Sequence, residues 1–250
     1  MPKSKVLAGI VVVLYILFVV FEFSNNNDVA IFFNALLIPV ITICYILSIK
    51  RKNIFFLLFL ICYSISDILG ATTHYMLYYV FNHEDYQIYY EYDYYVGNIL
   101  YILSYLFLLI RVLNTISLHH VIRNFKIHIL VLSGLNVYLI YVLLIIVEPN
   151  LEYKNEYYIE LIYNIVTLLL LSSALLNYIY RDNKKSLYLF LGSLFIVFSE
   201  VLDVAYIYID QKSLLSVLAA TLAMGAFYFY YKQTTFSDKL YNNDEQYMVL

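Results

Sequence analysis

Tryptophan is absent from these 250 residues, cysteine occurs twice, proline three times and glycine six times. Two cysteines, Cys44 and Cys62, both inside apolar runs, exclude a disulfide framework and a zinc-finger spacing; a thiol in such a run behaves as a small hydrophobe. Six scattered glycines form no phosphate-cradling loop, no serine sits in a Gly-x-Ser-x-Gly elbow, and no His-Glu-x-x-His segment occurs, so nucleotide, serine-hydrolase and zinc-protease chemistries have no support. Charge is the scarcest commodity. Charged residues make up 13% of the chain against 63% hydrophobic, too few to cover a water-soluble domain. The basic residues are dispersed and the net charge is −3, which leaves no nucleic-acid surface.

What is present is a series of eight continuous apolar runs, at about 6–23, 29–49, 54–80, 96–118, 127–147, 159–180, 186–209 and 213–231. Each is helical, because a membrane strand would alternate polar and apolar residues over roughly 10 positions, whereas these stay apolar for about twice that. The fold class expected is therefore an all-α membrane bundle of about eight helices. Residues 1–232 form the membrane domain and 233–250 a polar tail. The first run follows Lys3 and Lys5, is too long for a signal core and precedes no small-x-small cleavage pattern, so it is expected to be an uncleaved first span.

Charge in the connections supplies an independent check. Twelve of the fifteen basic residues, Lys3, Lys5, Lys50, Arg51, Lys52, Arg123, Lys126, Arg181, Lys184, Lys185, Lys232 and Lys239, fall on one side of an eight-span chain. Arg111, near the end of the fourth span, is expected to snorkel to that side, and only Lys154 and Lys212 face the other way. The positive-inside rule makes the basic side cytoplasmic, with both termini there. The opposite side collects Asp28, Glu84, Asp85, Glu91, Asp93, Glu148, Glu152, Glu156 and Asp210. With no tryptophan, tyrosine, abundant in "YYEYDYY" over 89–95, is the residue available for an interfacial aromatic belt.

Ionisable groups inside the spans are costly, so each is a functional hypothesis. Four stand out: Asp67 and His74 in the third span, Glu200 and Asp203 in the seventh. Counting from the cytoplasmic start at about 1.5 Å per residue puts Asp67 roughly 20 Å deep and Glu200 roughly 21 Å deep, a shared level. Asp203 and His74 follow toward the outer rim, where all four would line one outward-opening cavity. Small and hydroxyl residues flank both carboxylates, in "YSISDILGATTH" and "LGSLFIVFSEVLD", and favour close helix contact. Asn34, Asn98, Asn136 and Asn164 either complete the cavity or bridge helices. Two carboxyl groups close together out of water share protons unequally, which yields a general acid beside a general base. Pro39 is expected to kink the second span. His119, His120 and His128 fall in the inner connection without a metal-ligand spacing.

Eight spans with "SDIL" in the third and "GSLFIVFSEVLD" in the seventh resemble the YhhN-like lysoplasmalogenase family of small membrane proteins. That family carries Gly-Asp or Ser-Asp in its third helix and a Gly-x-x-x-Phe-x-x-Ser-Asp-like segment in its seventh. The resemblance implies Asp67 and Glu200 as the catalytic acids, Glu200 following Ser199. It also implies hydrolysis of a lysoplasmalogen vinyl ether without metal or organic cofactor, with membrane lipids as partners and a bacterial inner membrane as location. Asp203, His74, Asn34, Asn98 and Ser199 would bind substrate. The family's Lys-Pro in the second helix is here Ile38-Pro39, its Ser-His in the fourth is Ser104-Tyr105, and its second acid is Glu in place of Asp. The residues read on their own leave two further readings, a transporter or sensor whose carboxylates bind a proton or cation, and a structural membrane protein. The topology predicts that an outside-active reporter enzyme fused after Asp210 is active and the same reporter fused after Lys232 is silent; the reverse pattern contradicts it.

Overall fold

Backbone amides and carbonyls in hydrocarbon have no water to bond, so each apolar run closes its hydrogen bonds within itself as a helix. The computed structural model describes residues 2–49, 52–79, 86–151 and 154–235. Its long helices are α1 (Pro2–Phe23), α2 (Asn27–Ser48), α3 (Ile54–Tyr79), α4 (Tyr86–Leu113), α6 (Lys126–Val147), α7 (Lys154–Arg181), α8 (Lys184–Tyr208) and α9 (Ser213–Thr235). A short α5 (Leu118–Asn124) occupies the connection between α4 and α6, and a single 3₁₀ turn, Glu148–Asn150, follows α6. Eight helices are long and apolar enough to cross a membrane, and no strand occurs among the described residues. Lys50, Arg51, Glu84, Asp85, Glu152 and residues 236–250, including Lys239, lie outside the described residues.

Packing follows the circuit α1–α2–α3–α4–α7–α8–α9 and returns to α1, with α6 set outside against α7. Only 11% of the α6 span is buried, against 44% of α7. Large apolar side chains such as Ile127, Leu130 and Val137 accordingly point outward, the arrangement lipid favours and water does not. The core runs through α2, α3, α4, α7, α8 and α9 and is dominated by rings: Phe59 stacks on Phe227 with centroids 5.6 Å apart and meets Tyr230 edge-on at 5.8 Å.

Three differences from the sequence reading bear on the site. Helix α4 starts at Tyr86 rather than near 96, and α7 at Lys154 rather than near 159. The polar stretches that looked like outer loops are helical because their acids turn inward: Asp93 lies within α4, and Glu156 and Glu160 on α7 are buried. Arg111 does not snorkel. It is buried, lies 4.8 Å over the Phe56 ring and donates from Nη2 to Gln233 Oε1, which ties α4 to α9. Helix α2 stays continuous through Pro39. Lys212, one of the two lysines on the acidic side, pairs with Asp210 at 2.6 Å, and that carboxylate holds its ammonium above the ordinary range.

Tight turns are set by side chains. Asp182 adopts φ 42°, which Asp tolerates, and Asn183 then caps α8 by accepting from the Ser186 amide at 2.9 Å. Close approach of α8 and α9 depends on Gly192, where a Cβ would lie 2.5 Å from the buried Tyr230 ring. Gly192→Ala should therefore cost about 1–3 kcal/mol and lower the melting temperature in detergent. Gly70→Ala, with no atom within 4 Å of its added methyl and a mid-helix position that favours alanine by about 0.5–1 kcal/mol, should hold or raise the melting temperature; equal melting of the two variants contradicts the packing.

Candidate functional site

A cavity of about 420 Å³ opens in the bundle among α2, α3, α4, α8 and α9. Asn34 of α2, Asp67 of α3, Asp93 and Asn98 of α4, and Ser199 and Asp203 of α8 face it, with tyrosines 63, 90, 94 and 101 between them. No Lys, Arg or His is among the lining residues. Helical spacing explains the selection. Tyr63, Asp67, Gly70 and Ala71 recur at three- and four-residue intervals on one face of α3, and Ser199 and Asp203 at i, i+4 on one face of α8. Ser66 donates to the Gly97 carbonyl at 2.9 Å, which draws α3 onto α4 behind the cavity wall. Asp67 and Asp203 keep accessible surface although protein surrounds them, as expected of side chains facing an internal space.

Asp67 Oδ1 accepts from the Tyr101 hydroxyl at 2.6 Å. Asp203 and Asn34 have no hydrogen-bond partner among the described residues, and the Asn98 amide donates back to Tyr94 O at 2.8 Å. Glu200 is placed differently. One step round α8 from Ser199, it turns away from the cavity toward α4 and α7, where Oε1 accepts from Tyr105 and Oε2 from Tyr163, both through short hydrogen bonds. Asp67 and Glu200 are within electrostatic reach of each other, and Asp203 of both. Their link runs through rings: Tyr63 meets Tyr101 edge-on at 4.9 Å and Tyr105 at 6.1 Å. The expected pairing of Asp67 with Glu200 thus takes an indirect form, with Tyr101, Tyr63 and Tyr105 between the two acids.

His74 does not line this cavity. Its Nε2 lies 2.9 Å from Asp28 Oδ1, and both residues line a neighbouring apolar groove of about 370 Å³ between α2 and α3. Groove and cavity share Ile31, Ala35 and Ala71 as a common wall. Asn136 bridges α6 to α7 through paired hydrogen bonds with Ser172 of 2.8 and 3.1 Å, and Asn164 is buried in α7 without lining the cavity.

Sequence reasoning missed Asp93, Glu160 and the tyrosines. Glu160 accepts from Tyr94 at 2.9 Å, so tyrosines 94, 101, 105 and 163 each donate to an interior carboxylate. The signal was available in the i, i+4 and i+7 spacing of Tyr94, Asn98, Tyr101 and Tyr105 along α4, which sets hydroxyls and an amide on adjoining turns. Among the described residues no group of three or more His, Cys, Asp and Glu side chains is arranged to hold a metal ion.

Comparison with family models, with curated proteins and with solved structures gave no match. The account of the site therefore rests on the geometry.

A hydrogen bond to a charged group contributes about 1.5–3 kcal/mol. Tyr105→Phe and Tyr163→Phe should each destabilise the protein by about that much in thermal melts. The loss should shrink when the same change is made on a Glu200→Leu background; undiminished loss there would show that the hydroxyls act elsewhere.

Proposed function

We propose that this chain is a membrane-embedded lipid hydrolase that cleaves a vinyl-ether bond in a lysoplasmalogen-like substrate. The observation that carries the reading is an acid-lined cavity, with no basic side chain among the described residues of its walls, that shares a wall with an apolar groove. Vinyl-ether hydrolysis starts with a proton delivered to carbon and passes through an oxocarbenium ion, so it calls for acids and negative charge rather than for an oxyanion hole. The groove between α2 and α3, walled by Phe32, Leu36 and Ile68, offers an acyl chain a place beside the acids.

The cavity residues divide the work as follows. Asp203, with no donor facing it among the described residues, delivers a proton to the outer vinyl carbon. Asp67, steadied by the Tyr101 hydroxyl, carries the negative charge that stabilises the oxocarbenium ion and then takes a proton from the attacking water. The hemiacetal then breaks its C–O bond to the glycerophospho group: the alcohol leaves with the ether oxygen and the hydroxyl proton, the fatty aldehyde keeps the oxygen of the one water consumed, and the proton taken up by Asp67 returns to Asp203 to reset the pair. Glu200, held at both oxygens by Tyr105 and Tyr163, keeps negative charge close behind the pair and positions the tyrosines. Asn34 and Asn98 bind the polar part of the substrate. This assigns direct contact to Asp67 and Asp203 and a positioning role to Glu200, whose oxygens are already engaged.

A second reading is favoured by the extension of the acidic set outward through Tyr94, Glu160 and Glu156, a chain suited to passing protons or cations. The two part company in one experiment. Purified protein in mixed micelles with lysoplasmalogen should release aldehyde, and Asp67→Asn or Asp203→Asn should reduce the rate by about 10²–10⁴. Turnover that survives both changes sinks the hydrolase. Proton-coupled flux in proteoliposomes without any lipid turnover establishes the second reading.

A further inference from the structure

A second polar space lies at the opposite, basic end of the bundle. It is a pocket of about 150 Å³ framed by the α4–α5 connection and by the ends of α7, α8 and α9, and among the described residues no Asp or Glu lines it. Arg181 and Lys185 bring positive charge to it. The N-terminus of the 25-residue helix α8, capped by Asn183 and Ser186, opens onto the same space and adds the positive end of its dipole.

Two buried amides make this more than a helix end. Gln233, 3% exposed, has its Oε1 taken by Arg111, which fixes its orientation. Asn177, 2% exposed, has its Oδ1 taken by Thr115 at 3.2 Å. Both line the pocket, and neither NH₂ group donates to a described residue. Two amide donors whose oxygens are already fixed, left open to the pocket beside cationic side chains, suit an acceptor-rich group. The cation Arg111 lies behind Gln233 and reinforces the sign of the field.

We propose that this basic-end pocket binds a phosphate group. At roughly 30 Å³ per water the volume equals about five waters, enough for one phosphate and too little for a nucleoside beside it. The positive-inside rule puts the pocket at the cytoplasmic surface, where two sources present the same chemistry: the headgroup of an anionic lipid in the inner leaflet, and a soluble phosphate. The assignment is independent of the hydrolase reading, because it uses none of the acidic-cavity residues.

The test uses the full chain in detergent. Melting is followed against inorganic phosphate at constant ionic strength set with chloride, and separately against phosphatidylglycerol doped into the micelles, with phosphatidylcholine as the zwitterionic control. The expected result is a saturable rise in melting temperature with one of the two probes. Lys185→Gln, at a half-buried position, should weaken that response about fivefold. Gln233→Glu, which keeps an oxygen for Arg111 and places a carboxylate at the pocket, should abolish it. A response to phosphate identifies a soluble ligand, and a response to phosphatidylglycerol alone identifies a lipid. No response to either probe, or a response unchanged in both variants, overturns the proposal.

Discussion

A carboxyl group inside a membrane bundle must be supplied with donors or water, because leaving it unsolvated costs several kcal/mol. In this chain the donors are tyrosine hydroxyls from neighbouring helices, and that requirement decides which helices become neighbours. Asp67 on α3 draws Tyr101 of α4; Glu200 on α8 draws Tyr105 of α4 and Tyr163 of α7; Glu160 on α7 draws Tyr94 of α4. Helix α4 is the common partner. Lipid gives helices no hydrophobic reason to associate, so these directional contacts and close ring packing supply the specificity that burial supplies in a soluble protein.

The same tyrosines divide the interior. On their outer side lies the acidic cavity. On their inner side Phe59, Phe227, Phe56 and Tyr230 pack ring against ring down to Arg111, and beyond Arg111 lies the pocket rich in donors. The bundle thus holds opposite charges at opposite ends with an aromatic layer between them. That polarity matches the alternation of basic and acidic connections along the chain, so local chemistry and overall orientation have a common sign.

Much of the architecture was legible in the sequence. Continuous apolar runs of about 20 residues leave little choice but helices, and the alternation of Lys and Arg clusters fixes their number. The element ends were less legible wherever acids and tyrosines accumulate: Asp93 and Glu156 look like loop residues, yet Asp93 lines the cavity and Glu156 is buried on α7. Within the site, Asp67, Asp203, Ser199, Asn34 and Asn98 were found by asking which polar groups sit in apolar runs. The direction of Glu200 was not, because Glu200 and Asp203 at i, i+3 look like one face until Ser199 and Asp203 at i, i+4 take the cavity side. His74 went astray for a similar reason, since its partner Asp28 starts α2 and sequence spacing along α3 says nothing about it.

The central claim is that an acid-lined, water-accessible space lies inside the outer half of the bundle, sheltered from acyl chains. It is tested most directly by thiol accessibility in a chain whose Cys44 and Cys62 are replaced by alanine. Asn98→Cys, on the cavity wall, should react with a membrane-impermeant cationic thiol reagent applied from the acidic side, and faster than with an anionic reagent of equal size. The adjacent Ile99→Cys, whose side chain faces outward, should stay unreactive to both. Equal reactivity at the two positions, or a preference for the anionic reagent at Asn98→Cys, would contradict the account.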